Sequence, residues 1–259
     1  MLRVESPPSG VRERQQRDHL CAPFCAARAL RDIGLAVDED ELARRAQTVL
    51  PDRQVTDAVP PGAANLTGYP AGLATGPPER AGTAAAPLAE AIEAVTDGAV
   101  RCAGVHGEWS ADAVQRVVEE GRALGARLLA NLRTGLLWAS RPPVAASLAQ
   151  LEGEGAPDVA PDWDAGHFVE LLALVRGPGG ALVVVHDTYP TLGFDGHHLQ
   201  PPAALAAALR RDDGRQGGVL AIASPQSVAP IEALAARLGL HNGMWDNGTS
   251  TIAARREAS

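Results

Sequence analysis

The chain has 259 residues, of which 46% are hydrophobic and 21% are charged, as in an ordinary globular protein. Its formal net charge is −8, and all 23 basic residues are arginine, because lysine does not occur. The acidic balance argues against nucleic acid as a partner, and the missing lysine excludes a lysine nucleophile or a Schiff base.

Hydrophobic runs and cysteine usage indicate the compartment. The sequence has no run of about 18 apolar residues, so we expect no membrane-spanning helix and no membrane partner. Residues 1–14 are charged and contain prolines, without the apolar stretch of a signal peptide, and we expect a flexible N-terminus. Three cysteines are too few for a disulfide framework, which favours a reducing, cytoplasmic location.

The first predicted helix covers residues 22–34, APFCAARALRDIG, with Cys21 at its start. It has strong helix formers, Pro23 in its first turn and Gly34 as a stop signal. Cys21 therefore lies in the first turn, where unpaired backbone N–H groups and the helix dipole favour a thiolate. We interpret Cys21 as a nucleophile, with a small buried apolar residue as the alternative, and Cys25 as a core residue.

The next part of the chain alternates helices with proline-rich stretches. A second short helix is expected after Asp38, whose acidic first turn suits the positive end of the helix dipole. Proline, glycine and alanine dominate residues 55–87, which predicts a long loop. The predicted elements that follow are a helix at 88–95, a strand at 99–104, a helix at 111–121 capped by Ser110, and a strand starting at 126. Residues 139–165 contain four prolines and are predicted to be a second irregular insertion.

Two strong strand patterns come next, at 167–175 and 181–187. They flank Arg-Gly-Pro-Gly-Gly, which is typical of a hairpin turn. His167 opens the first strand and Asp187 closes the second, so the two side chains should meet at one end of the hairpin. A histidine oriented by a carboxylate is what a thiol nucleophile needs as its base. Glu170 falls on the opposite strand face, and we assign it no role.

The remaining elements complete an α+β pattern. A helix is predicted at 201–211, a strand at 218–223 and a helix at 231–239, and residues 240–259 are expected to be disordered. Helices come mainly first and a mostly antiparallel sheet follows, so we predict one α+β domain over residues 15–239.

Other residues that could bind ligands do not form a recognisable pattern. His186, His197 and His198 together with the two helix cysteines fit no zinc spacing, and the glycine-rich stretches read as turns rather than phosphate loops. We therefore predict no metal and no cofactor.

One ordered pattern runs through these segments: Gln15, then Cys21-Ala22-Pro23-Phe24-Cys25, then Gly166-His167-Phe168-Val169, and then Asp187 with Pro190 close behind. The pattern resembles the papain-like cysteine peptidases that trim double-glycine leaders from bacteriocins, and their stand-alone relatives. Segments 15–45 and 165–225 carry the likeness. Ala22 stands where that family has glycine, and His-Asp-Thr-Tyr-Pro replaces its Asp-Pro.

This resemblance implies a papain-like fold and a cysteine hydrolase that cleaves an amide or peptide bond through an acyl-enzyme. It implies the nucleophile at Cys21, the base at His167, the orienting acid at Asp187 and the oxyanion donor at Gln15. Five residues separate Gln15 from Cys21, as in the family, whereas Gln16 offers a rival register one residue nearer. The expected partner is a peptide or a small amide or acyl substrate.

Two other functions stay open at this stage. An acyltransferase would use the same residues, because an acyl-enzyme can pass its acyl group to water or to another nucleophile. A non-catalytic relative would keep the fold as a peptide-binding groove, which Ala22 in place of the family's glycine allows.

Overall fold

A large antiparallel sheet lies at the centre of the computed structural model, which describes residues 14–55, 59–154 and 159–249. In chain order the strands are β1 (Val49–Pro51), β2 (Ala74–Gly76), β3 (Arg101–His106), β4 (Arg127–Arg133), β5 (Gly166–Arg176), β6 (Ala181–His186), β7 (His197–Gln200), β8 (Gly218–Ala223) and β9 (His241–Asn242). β1 and β2 form a separate parallel pair. The other strands form one sheet in the order β7-β6-β5-β4-β8-β3-β9, and each neighbouring pair is antiparallel.

Helices cover both faces of this sheet. The described helices are α1 (Cys21–Asp32), α2 (Glu39–Arg45), α3 (Ala85–Val95), α4 (Ala111–Ala123), α5 (Val144–Glu152), α6 (Pro202–Arg210) and α7 (Pro225–Arg237). α1, α2 and α3 share one apolar core with Leu129 and Phe168 of the sheet. α4, α6 and α7 share the other core with Val169 and Leu171. The α+β prediction is confirmed.

Burial on both faces explains the composition of the central strands. Successive side chains of a strand point to opposite faces, so β5 sends Phe168 toward α1 and Val169 toward α4. A strand with two covered faces needs an almost continuous apolar run, which β5 has. Glu170 is the acidic exception within that run, and it is fully buried.

The predicted hairpin is confirmed. β5 and β6 pair antiparallel, and the backbone N–H of Gly177 donates to the carbonyl of Gly180 at the turn. The last registered pair before the site is Glu170 with His186. Continuing the register by one residue puts Asp187 opposite Val169, diagonal to His167 on the same face. The end of the hairpin therefore brings histidine and aspartate together.

The two proline-rich stretches contain more structure than predicted. In 55–87, of which 56–58 lie outside the described residues, the chain forms β2 and a single 3-10 turn before α3 begins at Ala85. In 139–165, α5 corrects the prediction of an irregular segment. Its prolines flank the helix instead of interrupting it: Pro143 is the N-cap, and Gly153 ends α5 in the left-handed conformation.

The segment after Gly239 corrects a further prediction, because residues 240–249 pack on the sheet rather than being disordered. β9 pairs with β3 and forms one edge of the sheet, and Trp245 is buried with its indole N–H donating to Asn131 at 3.1 Å. The Trp245 ring fits there because residue 218 is glycine, since a Cβ on Gly218 would lie 2.5 Å from the ring. These contacts depend on residues far away in the sequence, so local composition did not reveal them.

The other predictions about the termini fall on residues outside the described ranges. These are residues 1–13 of the predicted flexible N-terminus and residues 250–259 of the predicted disordered tail. Among the described residues, none of the helices is long and apolar enough to cross a membrane.

The Trp245 contact gives a test of how much the C-terminal segment stabilises the sheet. Trp245→Ala should lower the free energy of unfolding by about 3–5 kcal/mol, because it leaves a cavity above Gly218 and removes the donor to Asn131 Oδ1. Asn242→Ala, on the exposed strand of the same segment, should change it by less than about 1 kcal/mol. Urea unfolding measures both, and equal effects would show that the segment does not anchor through Trp245.

Candidate active site

Cys21 is the first residue of α1, as the sequence predicted. Its side chain is partly exposed, whereas the following nine residues of the helix are buried. The N-cap is Leu20, whose side chain gives no capping hydrogen bond. The first-turn N–H groups beside the sulfur are thus not occupied by a side-chain cap.

His167 and Asp187 form a buried pair at the end of the hairpin. His167 Nε2 lies 3.1 Å from Asp187 Oδ1, and both side chains are 2% exposed. The same oxygen accepts the backbone N–H groups of Thr188 at 2.7 Å and Tyr189 at 3.1 Å. Because Nε2 is bound to the carboxylate, Nδ1 is the ring nitrogen left for the nucleophile.

The pKa values of this pair are shifted in opposite directions. Burial would lower the pKa of His167, but the charge and hydrogen bond of Asp187, aided by nearby Cys21, raise it to about 10. Burial would raise the pKa of Asp187, but His167 and then His198 lower it far below its usual range. The contact between the two side chains therefore favours the charged form of both, an imidazolium and a carboxylate.

Two aromatic rings shield the imidazole. Trp163 meets the His167 ring edge-on at 5.2 Å between centroids, and Tyr189 stacks on it at 5.7 Å. Trp163 comes from the 139–165 stretch, so this segment contributes a wall to the site. Shielding from water strengthens the electrostatic interactions inside.

The two glutamines point in different directions. Gln16 is 2% exposed, its amide donates to the Tyr189 hydroxyl at 3.0 Å, and its carbonyl accepts from the Thr188 hydroxyl. Gln15 instead donates to the carbonyl of Ala64 at 2.6 Å, away from the histidine. Of the two glutamines that the sequence offers, Gln16 lies beside the pair and Gln15 does not. Neighbouring side chains of an extended segment face opposite ways, so only one could reach the site.

A buried arginine ties the helix of Cys21 to the strand of Asp187. Arg28 is 2% exposed, and its guanidinium donates to the backbone carbonyls of Asp187 and His186, each at 2.7 Å. Its charge faces Glu170, with 3.7 Å between Arg28 Nε and Oε2, and Arg127 approaches the other oxygen at 3.3 Å. Burial raises the pKa of Glu170, which the two arginines oppose.

The other two cysteines lie in settings unsuited to nucleophilic attack. Cys25 is buried in the core and its thiol donates to the Phe168 carbonyl at 3.3 Å, in line with the prediction of a core residue. Burial raises the pKa of both Cys25 and Cys102, which keeps them as thiols.

The structure thus brings together Cys21, His167 and Asp187, which the sequence singled out. It adds Gln16, Thr188, Tyr189 and Trp163 around the pair, and Arg28 and His198 behind it. Of these added residues, Arg28 has a signal in the sequence. It lies on the same side of the helix as Cys21 and Cys25, and Glu170 interrupts an apolar strand. Opposite charges on two buried faces indicate an ion pair between them.

The fold and the site define an α+β protein that has a cysteine at the start of a helix, beside a buried histidine–aspartate pair. The chain belongs to a family of unknown function, DUF6885, whose family model matches residues 9–246. Searches among curated proteins and among solved structures found no match. Within the described residues, no group of three or more His, Cys, Asp or Glu side chains could hold a metal ion.

The Arg28 contacts predict a large effect on stability. Arg28→Met should lower the free energy of unfolding by about 3–5 kcal/mol, because it leaves Glu170 buried with less compensating charge and frees two buried carbonyls. Arg45→Ala is the control, since it breaks an exposed ion pair with Glu41 and should cost under about 1 kcal/mol. Chemical unfolding of both variants gives the comparison, and a small loss in Arg28→Met would refute the role of this contact.

Proposed function

We propose that this protein is a cysteine hydrolase that cleaves an amide or peptide bond through an acyl-enzyme. One observation carries the proposal: Cys21 stands in the first turn of α1 beside the buried His167–Asp187 pair. An imidazolium held by a carboxylate stabilises a thiolate next to it and can later donate its proton.

The steps follow from these positions. The Cys21 sulfur attacks the substrate carbonyl carbon, and His167 gives its proton to the leaving amine as the carbon–nitrogen bond breaks. Water then attacks the thioester carbon while His167 accepts a proton, and the carbon–sulfur bond breaks to release the acid. Asp187 keeps the ring oriented in both half-reactions.

The developing oxyanion needs donors close to the sulfur. The backbone N–H of Cys21 is one, since no side chain caps this turn. Gln16 is the better-placed side-chain donor, because its amide lies on the Tyr189 hydroxyl, next to the ring of His167. Gln15 is turned toward Ala64.

The fold and its surroundings support the papain-like interpretation in general form. A nucleophile at a helix start and a base and acid on adjacent antiparallel strands agree with the resemblance drawn from the sequence. The 55–87 stretch lies near the site, since Asp18 exchanges hydrogen bonds with the backbone of Leu66. Together with the wall at Trp163, this stretch would select the peptide or small amide substrate.

The first test is the reactivity of the three cysteines. Iodoacetamide at about pH 6 should alkylate Cys21 before Cys25 or Cys102, because Cys21 is partly exposed beside the raised-pKa His167, whereas burial raises the pKa of the other two thiols. His167→Gln should slow this labelling at least about tenfold, since it removes the positive charge beside the sulfur. Peptide mapping by mass spectrometry locates the label. Preferential labelling of Cys102 would reject the assignment.

Turnover is the second readout. Cys21→Ala should abolish hydrolysis of a mixed library of fluorogenic peptide amides, while Cys102→Ala, a substitution at another partly exposed cysteine, should retain it. When simple amines are added to the assay, mass spectrometry of the products shows whether the acyl group is transferred to the amine instead of to water. Equal activity in both variants would contradict a role for Cys21.

The two glutamines form a matched pair for the oxyanion donor. Gln16→Ala should lower kcat about a hundred- to a thousandfold, the usual cost of losing one such donor, with little change in KM. Gln15→Ala should be mild. The opposite ranking in the same assay would return the role to Gln15.

A further inference from the structure

Three neighbouring strands carry polar side chains on one face of the sheet. β7, β6 and β5 are adjacent in the sheet, and His198 of β7 is registered opposite Val185 of β6. Asp187 follows Val185 by two residues and so shares its face. His198 thus flanks Asp187 on the side away from His167.

The two oxygens of Asp187 have different surroundings. Oδ1 accepts from His167 and from two backbone N–H groups, whereas Oδ2 faces His198 Nε2 at 3.7 Å. The side chain of His198 is 3% exposed, and its Nε2 has no hydrogen-bond partner within the described part of the chain. A buried, unsatisfied ring nitrogen aimed at a carboxylate needs an explanation.

The tautomer of His198 follows from its other neighbours. The backbone N–H of Trp138 donates to Gln200 Oε1 at 2.8 Å, and Gln200 Nε2 donates to the Trp138 carbonyl at 2.9 Å, so the orientation of this amide is fixed. Gln200 Nε2 lies 3.0 Å from His198 Nδ1, which must therefore accept. A neutral His198 then carries its proton on Nε2, the nitrogen that faces Asp187.

We propose that His198 is a positioning residue for the candidate site: its Nε2–H holds the second oxygen of Asp187, so that the first stays directed at His167. The relay runs from the Trp138 backbone through Gln200 and His198 to Asp187. Two carboxylates, Asp187 and Asp162, line a cavity of about 10 Å³ together with His198 in the described part of the chain. The inference rests on the proposed function, because a positioning role matters only if the pair is catalytic. The contact between His198 and Asp187 can nevertheless be tested without a substrate.

The test uses protein labelled with ¹⁵N-histidine and needs no variant for its first step. At about pH 7 the NMR spectrum should show His198 protonated on Nε2 and unprotonated on Nδ1. An Nδ1–H tautomer, or a doubly protonated ring, would overturn the proposal. Because the assay does not depend on turnover, this failure is separate from a failure of Cys21 to react.

The second step measures what His198 does for the pair. In His198→Asn, whose amide is too short to reach Oδ2, the pH midpoint at which the His167 ring loses its proton should fall by about one unit. His198→Gln places an N–H donor near the original Nε2 and should keep the wild-type midpoint. Matching midpoints in all three proteins, or a fall in His198→Gln equal to that in His198→Asn, would overturn the role.

A control separates positioning from general loss of packing. His197→Asn makes the same change one residue earlier in β7, on the opposite strand face, where His197 stacks on His186. Its His167 midpoint should equal that of the wild type. A fall as large as in His198→Asn would assign the effect to β7 as a whole and reject the specific contact.

Discussion

The site depends on one buried cation, Arg28, which fixes the helix of Cys21 relative to the strand of Asp187. Its two hydrogen bonds go to backbone carbonyls, so they hold the main chain and not just a flexible side chain. A guanidinium has five N–H donors in a rigid fork, which suits it to join two elements in this way. Removing such a charge from water is costly, and Glu170 on β5 provides the opposite charge that makes its burial tolerable.

The sheet fixes the positions of the side chains next to the histidine more rigidly than loops could. His167 and His198 lie on β5 and β7, and Asp187 directly follows β6 between them, so backbone hydrogen bonds set their spacing. All three side chains are buried, which restricts the rotamers that each can adopt. A preorganised, water-poor pair of this kind is how proteins shift the pKa of a histidine by several units.

The parts of the chain near the sulfur come from less regular segments. Gln16 docks on Thr188 through both main chain and side chain, and residues 64–68 pair with the segment just before α1. Trp163 reaches the imidazole from the stretch that follows α5. This division leaves the histidine–aspartate pair on the sheet and gives the proposed oxyanion donor and the walls of the site to less regular segments.

The sequence by itself determined the elements with strong local signals and singled out three side chains of the candidate site. Pro23 and the helix formers after it placed Cys21 in a first turn, and the hairpin glycines with two flanking strands brought the ends of β5 and β6 together. A bulge between Leu171 and Ala173 then shifts the register by one residue, which puts Asp187 on the same face as His167. Tertiary structure decided whatever depended on distant partners. The ordering of 240–249 rests on Trp245 filling the space above Gly218, and the position of Gln16 rather than Gln15 beside the pair rests on docking against Thr188. The position of His198 beside Asp187 rests on the lateral order of strands, which is fixed by contacts between segments that no local pattern encodes.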